Sequence, residues 1–141
     1  MSETGAAAKF GERQTGLLPG ELGIGWDEVA AGRAKGRFTV ARKHMAPNGY
    51  VHAASVIALV DSACGHGCML SLPEGATSFT TIELKANFLG TAQEGQTVAC
   101  DARLAHGGRT TQVWDAEAVN LDSGRTMALF RCTQMVLYPR P

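Results

Sequence analysis

Asp61 is the residue of this chain that most asks for a chemical explanation. It follows Val56-Ile57-Ala58-Leu59-Val60, a stretch with nothing to gain from charge. An ionised carboxylate in apolar surroundings is costly unless it is paired or hydrogen-bonded. It reads either as a functional group or as a structural one bonded to Ser62 or to a hydroxyl across an interface. His52, nine residues earlier, opens the same stretch and reads as a cap, as a core histidine or as part of a site. Ala53 and Ala54 follow it. Amides at the start of a helix lack intrahelical partners and sit at the positive end of the dipole. A carbonyl placed there would be polarised and its tetrahedral oxyanion stabilised, which is worth about 3 kcal/mol in rate for one donor. Small side chains at 53 and 54 leave that backbone accessible.

His52 and Asp61 cannot meet within one chain. Nine helical residues put them about half a turn apart in azimuth and about 13 Å apart along the axis. If both serve one site, His52 comes from one subunit and Asp61 from another. The site then lies at a two-fold interface and occurs twice per dimer.

The elements that must position these groups follow from periodicity. Residues from about His52 to Leu70 are rich in Ala and apolar on nearly every side, the mark of a buried helix, and Pro73 and Gly75 end it. Before it, Leu22 to Val29 and Arg33 to Val40 read as two strands around the turn Ala31-Gly32. Met45-Ala46-Pro47-Asn48-Gly49 has turn chemistry. After it come four strand-like segments, Ser78 to Leu89, Gln96 to Ala105, Arg109 to Leu121 and Thr126 to Tyr138, with breaks at Gly90, Gly95, Gly107-Gly108 and Asp122-Ser123-Gly124. Short turns make successive strands antiparallel. The expected fold is α+β, one long central helix wrapped by a curved antiparallel sheet. One helix leaves some of so large a sheet uncovered. Trp114, Val113, Leu129, Phe130 and Met135 are therefore candidates for a subunit contact as well as for the core.

The chain has 141 residues, 45% hydrophobic and 18% charged, enough for one domain and too few for two. With 13 basic and 13 acidic side chains it has no positive field for nucleic acid or a membrane surface, and no apolar run spans a bilayer. Met1 to Gly16 has no apolar signal core and reads as a loose polar tail ahead of a domain over 17–141. The protein reads as cytoplasmic. Cys64-Gly65-His66-Gly67-Cys68 invites a metal reading, but on a helix His66 points about 200° from Cys64. With no other Cys/His pair at ligand spacing, the cysteines read as buried thiols and no metal is assigned.

The run Asn48-Gly49-Tyr50-Val51-His52-Ala53-Ala54, followed by Asp61, resembles the Gly-x-x-His-Gly-Gly…Asp/Glu signature of hotdog-fold thioesterases. The PaaI-type and Arthrobacter-type 4-hydroxybenzoyl-CoA thioesterases are the nearest groups. The likeness runs from about Leu22 to Leu137. It includes the strand Thr80 to Leu89 and the turn His106-Gly107-Gly108-Arg109-Thr110. The resemblance implies a dimer or tetramer with sites at the dimer interface, an acyl-CoA thioester as substrate and no separate cofactor. It implies Asp61 as general base on water or as nucleophile, and the Ala53 amide, with His52 beside it, on the thioester carbonyl. Thr81 matches a hydroxyl that orients the attacking water. Asn87, Phe88, Leu89 and Gly90, together with His106, Gly107, Gly108, Arg109 and Thr110, match segments that contact the coenzyme. Arg109 suits phosphate, because a guanidinium binds it bidentately. Three positions depart from the pattern. Ala53-Ala54 replace Gly-Gly. Ala46 stands at a polar position, so that contact falls to Asn48 or is absent. Gly65 stands where a Ser/Thr is sometimes found.

Two other functions compete with thioester hydrolysis. A hydratase or dehydratase on the same fold would use a separately placed Asp/His pair, commonly Asp-x-x-x-x-His, and no such pair is expected here. A non-catalytic acyl-CoA binding protein would use Asp61 structurally; a DNA-reading sensor would need a basic helical module, which is absent.

Overall fold

A computed structural model describes residues 3–141. Two strands, β1 (Gly25–Ala30) and β2 (Arg33–Thr39), precede a long helix, and four strands follow it: β3 (Ser78–Phe88), β4 (Thr97–Gly107), β5 (Thr111–Asn120) and β6 (Arg125–Leu137). All pairings are antiparallel, in the order β1-β2-β4-β5-β6-β3. The long helix, Ala53–Met69, lies against the sheet. The mixed α+β architecture expected from the sequence is the one found, with each main element within a few residues of its expected bounds.

Burial explains why the helix takes that place. Val56, Leu59, Val60, Ala63, Cys64 and Cys68 are buried against sheet residues such as Phe38, Val98, Trp114, Met127 and Phe130. Two glycines bring rings onto the helix backbone. A methyl at Gly67 would lie 2.5 Å from the Trp114 ring, and one at Gly65 would lie 2.7 Å from the Phe79 ring. Glycine inside a helix costs about 1 kcal/mol relative to alanine. Here it lets two large aromatic surfaces reach the axis, which offsets that cost. The remaining stripe of the helix, Ile57, Ala58, Asp61 and Ser62, is only half-buried.

The subunit-contact candidates divide. Trp114 and Phe130 are core residues, 0% and 5% exposed, because β5 and β6 turn them toward the helix. Leu129 and Met135, on the other face of β6, remain 48% and 42% exposed, and Val113 is half-buried.

The N-terminus differs more. Met1 and Ser2 lie outside the described residues, but Glu3–Arg13 form a helix, α1, where the sequence suggests a loose tail. A second, one-turn helix, α2 (Leu18–Glu21), leads into β1; the long helix is α3. Ala6, Ala7 and Phe10 of α1 pack with Val29 of β1, and Trp26 and Met69 border the cluster. Gln14 ties the segment down, donating from Nε2 to the Ile24 carbonyl at 2.5 Å and accepting the Trp26 indole N–H at 2.9 Å. One aromatic and two alanines make too narrow a stripe to be recognised before its partner surface is known.

Alpha1 also covers His66. Its ring lies 4.3 Å from Phe10 and 4.7 Å from Trp26, and its Nε2 is buried without a hydrogen-bond partner among the described residues. Cys64 and Cys68 point into the core instead. Burial lowers the His66 pKa from 6.5 to about 4. The unfolded chain therefore binds more protons between those values, so stability is full above pH 6.5 and falls as pH drops toward 4. Chemical denaturation across that range should show a loss on the order of 3 kcal/mol, and His66→Leu should flatten the dependence.

Candidate functional site

The start of α3 is anchored by a histidine that no motif points to. His44, in a single 3-10 turn (Arg42–His44), is 2% exposed. Its Nδ1 accepts the Ala41 N–H at 2.8 Å, so Nε2 carries the proton and donates to the Leu22 carbonyl at 2.7 Å. Its carbonyl accepts both the His52 N–H at 2.7 Å and the Ser55 hydroxyl at 3.0 Å. Between these anchors the chain turns tightly. Ala46 donates to the Tyr50 carbonyl, and Gly49 takes φ +89°, a conformation open to glycine. Asn48 Oδ1 accepts the Tyr50 N–H at 3.2 Å.

His52 is the N-cap of α3. Its Nδ1 accepts the Ala54 N–H at 2.9 Å, which leaves the proton on Nε2. This corrects the expectation that both first-turn amides are free: the imidazole occupies Ala54, the usual reach of a capping side chain. The Ala53 N–H has no hydrogen-bond partner among the described residues. Ala53 lines a cleft of about 540 Å³, together with Asn48, His52, Val56, Phe88 and Met127 among others. Asn48, His52, Ala53, Phe88 and Gly90, placed in a site by resemblance, thus gather at one end of the helix.

Asp61 lies elsewhere. Its Oδ1 accepts the Thr81 hydroxyl at 2.8 Å, so these two site residues also meet. Thr81 reaches the helix because β3 carries a bulge. The register slips between Thr81, opposite Gln134, and Glu83, opposite Thr133, so Phe79 and Thr81 face inward before the bulge and Leu84 and Ala86 after it. Thr81 Oγ1 is also 2.8 Å from the side-chain amide of Gln134, which is 0% exposed. Gln134 is a polar residue of the site that sequence reasoning missed. Its only signal is a glutamine at an inward position of an alternating strand.

Within one chain the groups fall into two sets. Met127 borders the cleft and Gln134 lies by Thr81 and Asp61, and the two are seven residues or about 23 Å apart along β6, while along the helix axis His52 and Asp61 are about 13 Å apart. His106 to Thr110 close the far end of the sheet, where Thr110 accepts from Val136 and Tyr138 donates to the Arg109 carbonyl. Phe88 pairs with Ala128, so the two coenzyme segments are separated by about 26 Å. Within one chain the two segments lie toward opposite ends of the sheet. The expectation that no Asp-x-x-x-x-His pair occurs is corrected by Asp61 and His66, which have that spacing and belong in the reckoning for a hydratase. Five residues set the two about 140° apart on the helix. His66 is turned onto Phe10 and Trp26 while Asp61 meets Thr81, so they do not share a site.

This chain belongs to the thioesterase superfamily, whose family model matches residues 48–130, more than half its length. The class is therefore that of the thioester hydrolases. A thioesterase from Pseudomonas aeruginosa has a similar structure, 25% identical, with TM-score 0.85 over 93% of each chain. The PaaI protein from the phenylacetic acid degradation operon of E. coli shares the fold at 23% identity and TM-score 0.81 over 96% of each chain. So does a Streptococcus mutans protein solved with acetyl CoA bound, at 23% identity and TM-score 0.75 over 84% of this chain and 91% of that one.

The anchoring of the helix start is testable. His44→Leu removes the bonds to the Ala41 N–H and the Leu22 carbonyl, both only partly buried, at about 1 kcal/mol for each bond lost. Thermal melts should show that loss, and ligand binding at the cleft should weaken with it.

Proposed function

We propose that this protein hydrolyses an acyl- or aryl-CoA thioester to the free acid and coenzyme A, in sites shared between two subunits. The observation that carries the reading is the separation just described. A mostly apolar cleft with a free Ala53 amide holds no carboxylate, and the carboxylate sits on the same helix about 13 Å away, on a stripe its own chain leaves half-covered. One strand supplies the means to join them. Beta3 is an edge of the sheet paired only with β6, it is exposed or half-buried throughout, and Ile82 on it is 50% exposed. A long unpaired edge is a template for another strand.

If two copies of β3 pair antiparallel about their middle, near Glu83, Phe88 of one faces position 78 of the other. The partner subunit's Asp61 and Thr81 then approach the cleft, together with the half-buried stripe of its helix. The turn His106 to Thr110 lies toward that same end of the partner, which gives Arg109 a route to the nucleotide phosphates. The acetyl-CoA-bound neighbour supports a CoA ester as ligand, and the apolar lining supports an uncharged acyl or aryl group.

The chemistry then follows. The thioester carbonyl accepts from the Ala53 N–H, with the His52 Nε2–H beside it. In the general-base form, Asp61 takes a proton from water as the water oxygen bonds to the acyl carbon. The oxygen that becomes negative meets the amide, the carbon–sulfur bond breaks, and the thiolate leaves and is protonated. In the nucleophile form, an Asp61 oxygen bonds to the acyl carbon, the carbon–sulfur bond breaks to release the CoA thiolate, which is protonated, and water then hydrolyses the mixed anhydride to the acid and free Asp61. Oxygen-isotope labelling in a single turnover separates the two forms.

Thiol release from a panel of aryl- and fatty acyl-CoA esters tests the proposal. Asp61→Asn should lower turnover by about 10²–10⁴-fold while the fold and CoA affinity persist. Ala53→Pro deletes the carbonyl donor at the first helical position, where proline is tolerated, and His52 at φ −67°, ψ 134° suits a following proline. It should cost about 10²–10³-fold in rate. Unfolding and refolding the two inactive variants together should restore about one quarter of wild-type activity, because only mixed dimers keep one intact site. Thiol release unaffected by Asp61→Asn would refute the mechanism. CoA-ester binding without any release would make the chain a binding protein.

A further inference from the structure

Gln134 poses a hydrogen-counting problem at the candidate carboxylate. The Thr81 hydroxyl carries one proton, yet it lies 2.8 Å from two acceptors, Asp61 Oδ1 and the amide end of Gln134 placed as Oε1. One of those oxygens would then face a bare lone pair. In the same placement, Gln134 Nε2 is buried without a partner among the described residues, leaving both its N–H groups unpaired. Turning the amide about removes the first fault and halves the second. Nε2 donates one N–H to Thr81 Oγ1 and Thr81 donates its only proton to Asp61 Oδ1, so one of the two orphaned N–H groups is exchanged for an acceptor short of a donor, a lesser cost. Which end of a carboxamide is oxygen is settled by such a balance.

Gln112, beside it in register on β5, is engaged elsewhere, donating to the Ser71 carbonyl at 2.8 Å and accepting from the Trp114 indole at 2.9 Å. Nor can the helix replace Thr81 from the next turn. Four residues after Asp61 stands Gly65, with Phe79 packed where a side chain would begin.

We infer that Gln134 is a positioning residue: its buried amide fixes the direction of the Thr81 hydroxyl and, through it, the Asp61 carboxylate. Gln134 is 0% exposed and lies beyond residues 48–130, which the family model matches. The inference rests on Asp61 acting in the reaction and deepens that reading. A hydroxyl free to rotate would satisfy Asp61 only part of the time. With Gln134 donating to its oxygen, one rotamer is favoured and one Asp61 oxygen is held, leaving the other for water or the acyl carbon.

The experiment compares Gln134→Met, Thr81→Val, Thr81→Ser and the double variant Thr81→Val/Gln134→Met in the full-length protein, by steady-state thiol release and by melting. Methionine matches glutamine in length and cannot donate. We expect kcat to fall on the order of 10-fold in Gln134→Met with KM unchanged, since the side chain is fully buried behind Thr81, and Tm to hold or rise. Thr81→Val should fall at least as far, and the double variant no further than Thr81→Val alone, because the two act as one unit. Thr81→Ser should retain most of the rate. Unchanged kcat in Gln134→Met, multiplying losses in the double variant, or unfolding of Gln134→Met and of Gln134→Leu alike would overturn the inference. If instead Asp61→Asn retains turnover, it is the role of Asp61 that fails, whatever Gln134 does.

Discussion

A helix of 17 residues that is apolar on most of its surface has to be surrounded, and the rest of this structure follows from that requirement. One flat layer covers one side of a helix. A six-stranded sheet wrapped around it covers more, and the glycines at 65 and 67 bring Phe79 and Trp114 close enough to do so without a void. The enclosure is still incomplete, and the stripe it leaves half-covered is the one that holds Asp61.

The polar groups are arranged around that incompleteness. At the start of the helix, backbone and side-chain demands are met almost fully from within the chain. His44 serves two strangers to the helix and, through its carbonyl, two members of it; His52 takes the second amide. The first amide is left over. At mid-helix the carboxylate is met by a hydroxyl delivered from a bulged strand, and bulges recur where a side chain has to be re-aimed. Each end has what the other lacks.

How far the sequence foretold this depends on the range of the interaction. Alternation and turn chemistry are local, so the strands, the helix and the hairpin at Asp122-Ser123-Gly124 were legible. Asp61, His52 and Ala53 stood out because a charge, a ring and a small residue sit oddly in an apolar run. Thr81 came only through resemblance, and the structure then placed it on Asp61. What escaped is what depends on distant partners. Alpha1 needed Val29 and Trp26 to become a helix with a buried face. The capping of Ala54 by His52 needed a rotamer, and Gln134 needed the bulge that sets β3 against β6. Trp114 and Phe130, open to either the core or an interface by pattern, were settled by the direction of the pleat. The Asp61 to His66 spacing shows the reverse hazard, a motif in the letters whose side chains diverge in space.

The two margins of the sheet are unequal in a way that bears on how this molecule keeps company. Beta1 has six residues, is bulged at Asp27, and lies against α1, so it makes a poor seam. Beta3 has eleven and lies open. An object with two good seams can be laid end to end without limit, and a fibre is the result. With one good seam, a copy that joins to its like consumes the only place at which a third could join, so growth along the sheet stops at a pair.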